Sequence, residues 1–161
     1  MNPEDKKAAL NILNFLCKGA TIEGLNFYGL KLLLSETETN SEKINGQVYL
    51  NIESDFCLYQ SMPKEIPHQN ELPKLDLLES AKLLCELRLK KITEVSLHDE
   101  RPHLFLTFDS GEVLFIWGHH QDYESWQVGS TYDELDEETW LVVACPGDEL
   151  AVWGAEDVIG L

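Results

Sequence analysis

Basic residues are scarce in this sequence. Twelve lysines and arginines stand against twenty-nine aspartates and glutamates, a formal charge of −17 over 161 residues. A field of that sign repels DNA, RNA and anionic membranes and attracts basic partners at long range. Neither nucleic acid nor a membrane surface is therefore expected as a partner. Long apolar runs are missing too: no stretch reaches the ~18 consecutive apolar residues of a membrane-spanning helix. The amino terminus is polar and acidic before any apolar run begins, so no signal peptide is expected. Cysteine is thinly spread. Cys17, Cys57, Cys85 and Cys145 form no Cys-x-x-Cys pair, which argues against zinc ribbons and thioredoxin-type chemistry. All four lie among apolar neighbours and are expected to be small buried hydrophobes in a reducing, cytoplasmic setting. Catalytic signatures are also lacking. There is no Gly-x-Ser-x-Gly elbow and neither of the glycine-rich phosphate loops, so no enzymatic activity and no cofactor are expected.

Hydrophobic alternation is plentiful. Leu104, Leu106 and Phe108 alternate with Phe105 and Thr107. Asp109-Ser110-Gly111-Glu112 then interrupts, and Val113, Phe115 and Trp117 alternate with Leu114 and Ile116. Period-two patterning on both sides of a short break predicts a β-hairpin with Gly111 at positive φ. Both alternating sets are apolar, so both faces are expected to be covered and the hairpin central.

The flanking chain divides around this hairpin. Asn2-Pro3-Glu4-Asp5 is a helix start, and Ala9, Ile12, Leu13, Leu16 and Cys17 form one stripe, predicting a helix over 3–18. Residues 21–60 read as a first strand unit and 91–153 as a second. Val48-Tyr49-Leu50-Asn51-Ile52-Glu53-Ser54 repeats the residue types of Leu104-Phe105-Leu106-Thr107-Phe108-Asp109-Ser110, and a shorter likeness joins 31–36 to 91–100. Two matched three-strand units and chance alternation account for this equally. Residues 61–74 carry Pro63, Pro67 and Pro73 and read as a linker or surface loop. Asp76 with Glu79 resembles a capping box opening a helix over 75–89, with Leu77, Leu78, Ala81, Leu84, Cys85 and Leu89 on its apolar face. The tail, 154–161, is expected to fray. Together these predict a single α+β domain. Its mostly antiparallel, curved sheet of roughly six to eight strands is built from the two similar units, with one helix at the amino end and one between the units.

Two candidate sites follow. Residues 133–138 hold Asp133, Glu134, Asp136, Glu137 and Glu138, with Tyr132, Tyr123 and Glu124 nearby and Trp126 and Trp140 flanking them. Aromatic anchors within an acidic rim suit a protein partner with a basic surface, such as the substrate groove of a nuclease. A solvated loop beside core aromatics is the competing reading. The second candidate is the turn carrying His119, His120, Asp122 and Glu124, with His103 at the start of the same hairpin. Neighbouring residues on an extended chain point oppositely, so a metal there needs a distant ligand, and a solvated polar turn is the expectation.

The carboxyl-terminal third resembles a family of small bacterial proteins of unknown function. The likeness runs over about 92–153 and lies in Phe108-Asp109-Ser110-Gly111, Tyr123-Glu124-Ser125-Trp126, Pro146-Gly147-Asp148-Glu149 and Leu150-Ala151-Val152-Trp153. Some small acidic proteins of this kind act as immunity proteins beside polymorphic or contact-dependent toxins. The resemblance implies a non-catalytic protein that neutralises a cognate toxin by direct binding. The alternative is a small-ligand or metal-dependent enzymatic domain using the 119–124 turn.

Overall fold

A computed structural model of the chain describes residues 1–131 and 139–161. Helix α1, Pro3–Cys17, begins as its sequence predicts: the Asn2 side chain accepts the Glu4 N–H at 2.9 Å, and Pro3 occupies the first helical position. Its stripe of Ala9, Ile12, Leu13, Leu16 and Cys17 is buried, joined by Phe15. The chain leaves the helix through Lys18 and Gly19, the latter at φ +89°.

The described strands form two antiparallel sheets. Strands β1 (Ile22–Asn26), β2 (Lys31–Leu34) and β3 (Val48–Ile52) form a meander. Three later strands extend it: β8 (Trp126–Ser130), β9 (Leu141–Cys145) and β10 (Glu149–Trp153), giving the order β1-β2-β3-β8-β9-β10. The second sheet, β4-β7-β6-β5, contains β4 (Phe56–Tyr59), β5 (Ile92–Leu97), β6 (Leu104–Phe108) and β7 (Val113–Ile116). The fold is thus α+β as the pattern predicts, with the expected antiparallel pairing and helices at the amino end and between the strand groups. There are ten strands among the described residues, in two sheets, where fewer in one curved sheet were expected.

The central hairpin forms with Gly111 at φ +88°, and both its faces are covered. Leu104, Leu106, Phe108, Leu114 and Ile116 join the main core between the sheets, with Leu32, Leu50, Trp126 and Val142. Phe105, Val113, Phe115 and Trp117 face the other way into a smaller core with Leu72. The segment 61–74 is a surface loop, one of the two readings of its sequence, and it also closes this second core. The segment includes a 3-10 turn at Gln69–Glu71, and Leu72, 3% exposed, anchors it over aromatic rings that would otherwise be wet.

Helix α1 packs against β5 at one sheet's edge and β10 at the other's, bridging the two sheets. Residues 19–22 and 89–92 tie the edges of β1 and β5 by main-chain bonds, among them Gly19 N–H to Ile92 O and Ile92 N–H to Ala20 O, both 2.8 Å. Helix α2, Leu77–Cys85, has the predicted capping box: Asp76 accepts the Glu79 N–H at 2.8 Å and Glu79 accepts the Asp76 N–H at 3.1 Å. Its expected apolar face is only half used. Ala81 and Leu84 are buried, but Leu77 and Leu78 are 60% and 64% exposed, and Cys85 and Leu89 are exposed as well. The cause is placement: α2 lies against β1, at the edge of a sheet, and not across a sheet face.

Two further expectations are corrected. The tail does not fray: α3, Glu156–Ile159, buries Val158 against the core, and its Ile159 carbonyl accepts the Asn11 side chain at 2.9 Å. Of the cysteines only Cys17 is buried, because the others lie on strands or helix turns at the margins of the two cores. The matched units also part company at their third strand. β6 turns back into β7, whereas β3 runs on through Glu53-Ser54-Asp55 into the other sheet.

Candidate functional site: an acidic cleft at the sheet crossing

The crossing from β3 to β4 needs partners for a stretch of main chain that belongs to neither sheet. Trp117 N–H donates to Asp55 O at 2.9 Å, and Ser54 Oγ donates to Trp117 O. On the other side Glu53 N–H donates to Ser125 O at 3.0 Å, while Ser125 N–H donates to Ala144 O at 3.0 Å. The crossing is thereby gripped between the end of the central hairpin and the start of β8. The opening of α2 faces the same place. Together these segments enclose an open cleft of about 680 Å³.

Four carboxylates line it, from three separate parts of the chain: Glu53 and Asp55, Asp76, and Glu124. Each is held by one local donor. Asn51 Nδ2 donates to Glu53 at 2.6 Å, Lys74 Nζ lies 2.6 Å from Asp55, Asp76 caps α2, and Gln127 Nε2 donates to Glu124. Lys74 is the sole cation paired within this group among the described residues, and both it and the opening are wet, so the cleft keeps an excess of negative charge.

The wall formed by 117–125 is folded around two histidines. His119 Nδ1 lies 2.6 Å from Asp148 Oδ1, and Arg101 Nε is 3.9 Å from the other oxygen of that carboxylate. Asp148 sits at φ +63°, beside Gly147 at φ +77°, in the tight turn between β9 and β10. His120 Nδ1 accepts the N–H groups of Asp122 and Tyr123, both at 3.0 Å, and its ring stands 4.9 Å from the Tyr123 ring. The two histidines thus have separate partners, although both line the cleft. Behind them Gly118 passes so close to Pro102 that a Cβ would meet its carbonyl oxygen at 1.9 Å. The Gly118 N–H donates to His103 Nδ1 at 2.9 Å. His103, 1% exposed, stays on the neutral side: burial pushes its imidazole down to about 4, with His98 and Arg101 adding to the effect.

Among the residues singled out from sequence, Tyr123 and Glu124 lie on this cleft, as do His119 and His120. Tyr123 is 70% exposed at its margin. Tyr132, Asp133, Glu134, Asp136, Glu137 and Glu138 lie outside the described residues. No group of three or more histidine, cysteine, aspartate or glutamate side chains among the described residues could hold a metal ion. His103 is buried directly behind the 119–124 turn, bonded to the Gly118 N–H and packed on Trp117, and does not line the cleft. Sequence reasoning missed Glu53, Ser54 and Asp55, the first two of which entered only as part of an internal likeness. It saw Asp76 as a helix cap, and that description holds locally.

The class of molecule these observations define is an α+β domain of two antiparallel sheets with an open, carboxylate-lined cleft where the chain changes sheet. Compared with known proteins, the chain has no match among family models, curated proteins or solved structures. No helix among the described residues is long and apolar enough to cross a membrane.

Proposed function

We propose that this chain is a non-catalytic binding protein that receives a basic surface of another protein at the acidic cleft. In its most concrete form it is an immunity protein acting in the cytoplasm, neutralising a cognate bacterial toxin, such as a nuclease, by covering its active site or a nearby surface. The observation that carries the reading is the grouping of Glu53, Asp55, Asp76 and Glu124 around one opening, in a chain of net charge −17. Convergent carboxylates beside an exposed tyrosine offer both electrostatic steering and an anchor for a protein partner. The acidic residues of 133–138 add to the negative charge of the chain as a whole.

The test is co-expression with any toxin domain found encoded beside it. Protection of the cells, a complex in solution, and dissociation at high salt are expected. Replacing Asp55 and Glu124 together by lysine should weaken the complex at least ~100-fold, since two like-charge juxtapositions replace two attractions. Intact toxicity, with no complex at low salt, would overturn the reading.

A specific observation favours a second reading, a small-ligand or enzymatic domain at the same cleft: His119 lines it with one ring nitrogen held by Asp148, the way acid–base histidines are oriented. Under that reading His119→Ala abolishes turnover or binding of a small substrate. Under the first it leaves the protein complex within a few-fold.

A further inference from the structure

A basic partner offers two kinds of cation, and the cleft is not equally suited to both. We infer that it is a receptor for arginine, taking a guanidinium in preference to an ammonium. The inference rests on the proposed reading of the cleft as the partner-binding site and goes on to specify what enters it.

Three features point to a planar donor. First, the carboxylates are spread across the opening on three chain segments, and each spends an oxygen on a local donor. The other oxygen of each has no donor among the described residues. A guanidinium has five N–H groups in a fixed plane and can serve several such oxygens at once, whereas an ammonium is a compact point charge. Second, the cleft has ring walls. His120 and Tyr123 stand 4.9 Å apart, Tyr123 is exposed, and Trp117 contributes behind them. Guanidinium groups stack on such faces while remaining hydrogen-bonded at their edges. Leu30, Leu75 and Leu77 supply apolar surface for the side chain's stem.

Third, the cleft wall holds an unsatisfied acceptor. Ser125 Oγ is the buried side-chain polar atom that has no hydrogen-bond partner among the described residues, and Ser125 is 1% exposed. Ser125 immediately precedes the buried Trp126 and belongs to the lining of the cleft. A buried hydroxyl left without a partner is uncommon and costly, and a donor entering the cleft would relieve it.

The experiment uses two blocked peptides of equal charge, acetyl-Gly-Arg-Gly-amide and acetyl-Gly-Lys-Gly-amide. Each is titrated into the full chain while amide resonances are followed by NMR. The arginine peptide should shift Ser54, Asp55, Tyr123 and Ser125 and bind at least ~5-fold more tightly than the lysine peptide. Ser125→Ala should weaken the arginine peptide severalfold and leave the lysine peptide unchanged. The substitution removes an unpaired hydroxyl and so does not threaten folding. Asp55→Asn with Glu124→Gln should erase the preference. Equal affinities, or shifts confined to other acidic surfaces such as 36–42, would overturn the inference. Should a toxin bind through the cleft while the peptides show no preference, the inference fails and the proposed function stands. A toxin that binds elsewhere, with the preference intact, overturns the proposed function and leaves the arginine receptor standing.

Discussion

Two stretches of nearly the same residue pattern take opposite courses. β6 ends in Asp109-Ser110-Gly111-Glu112 and turns back on itself, while β3 ends in Glu53-Ser54-Asp55 and crosses to the other sheet. The difference is one residue that tolerates positive φ. Gly111, at +88°, lets the chain reverse within a short loop and pair β6 with β7. The β3 break has no glycine, so the chain continues extended and its main chain must find partners outside a ladder. It finds them in Trp117 and Ser125. Reversal yields a buried hairpin covered on both faces; continuation yields the floor of a polar cleft.

Breaking the support of the crossing should have the largest effect. Gly118→Ala places a Cβ 1.9 Å from a backbone oxygen, and neither strand can yield without losing the Trp117 and His103 bonds. A loss of about 3 kcal/mol or more is expected in urea denaturation, or failure to fold.

Next comes pH. The His103 imidazole is pushed to about 4 in the folded chain, below its ordinary value of 6.5, chiefly by burial. The unfolded chain therefore takes up a proton that the folded chain refuses. Stability is unaffected above about pH 6.5 and falls progressively as pH drops toward 4, by up to about 3 kcal/mol. Replacing His103 by Gln should flatten that slope. A slope that persists unchanged would show that other groups carry it. Carboxylates held low by ion pairs, such as Asp99 beside Lys6, act only at still lower pH.

The smallest effects sharpen the comparison most. Gly111→Ala meets no atom closer than 4.0 Å and should cost only the positive-φ strain, about 1 kcal/mol. Ser54→Ala removes one bond to Trp117 O at the crossing and should cost about 1 kcal/mol, with greater local hydrogen exchange at Asp55 and Trp117 than at Gly111. Exchange spreading equally to both breaks would mean that hairpin and crossing open as one unit.

Much of the fold was legible in the chain itself. The Asn2-Pro3 start, the Asp76/Glu79 box and the Gly111 hairpin are local devices, and each formed where local chemistry placed it. The cleft was half legible. His119, His120, Tyr123 and Glu124 stood out as a polar cluster next to an apolar hairpin. Their counterparts Glu53, Asp55 and Asp76 did not, because a carboxylate at a strand break or helix cap looks the same whether or not another surface faces it. Leu77 and Leu78 show the same limit in reverse: helical spacing marked them as core, yet α2 lies at an edge and leaves them exposed.

By itself the sequence determined the class, the charge and the individual elements, since these depend on periodicity, caps and turn residues within a few positions of one another. Tertiary structure alone decided that strands of one pattern divide between two sheets, that 61–74 covers an aromatic face, and that acids distant along the chain share one opening. Those outcomes depend on which surfaces meet, and a surface does not encode its neighbour.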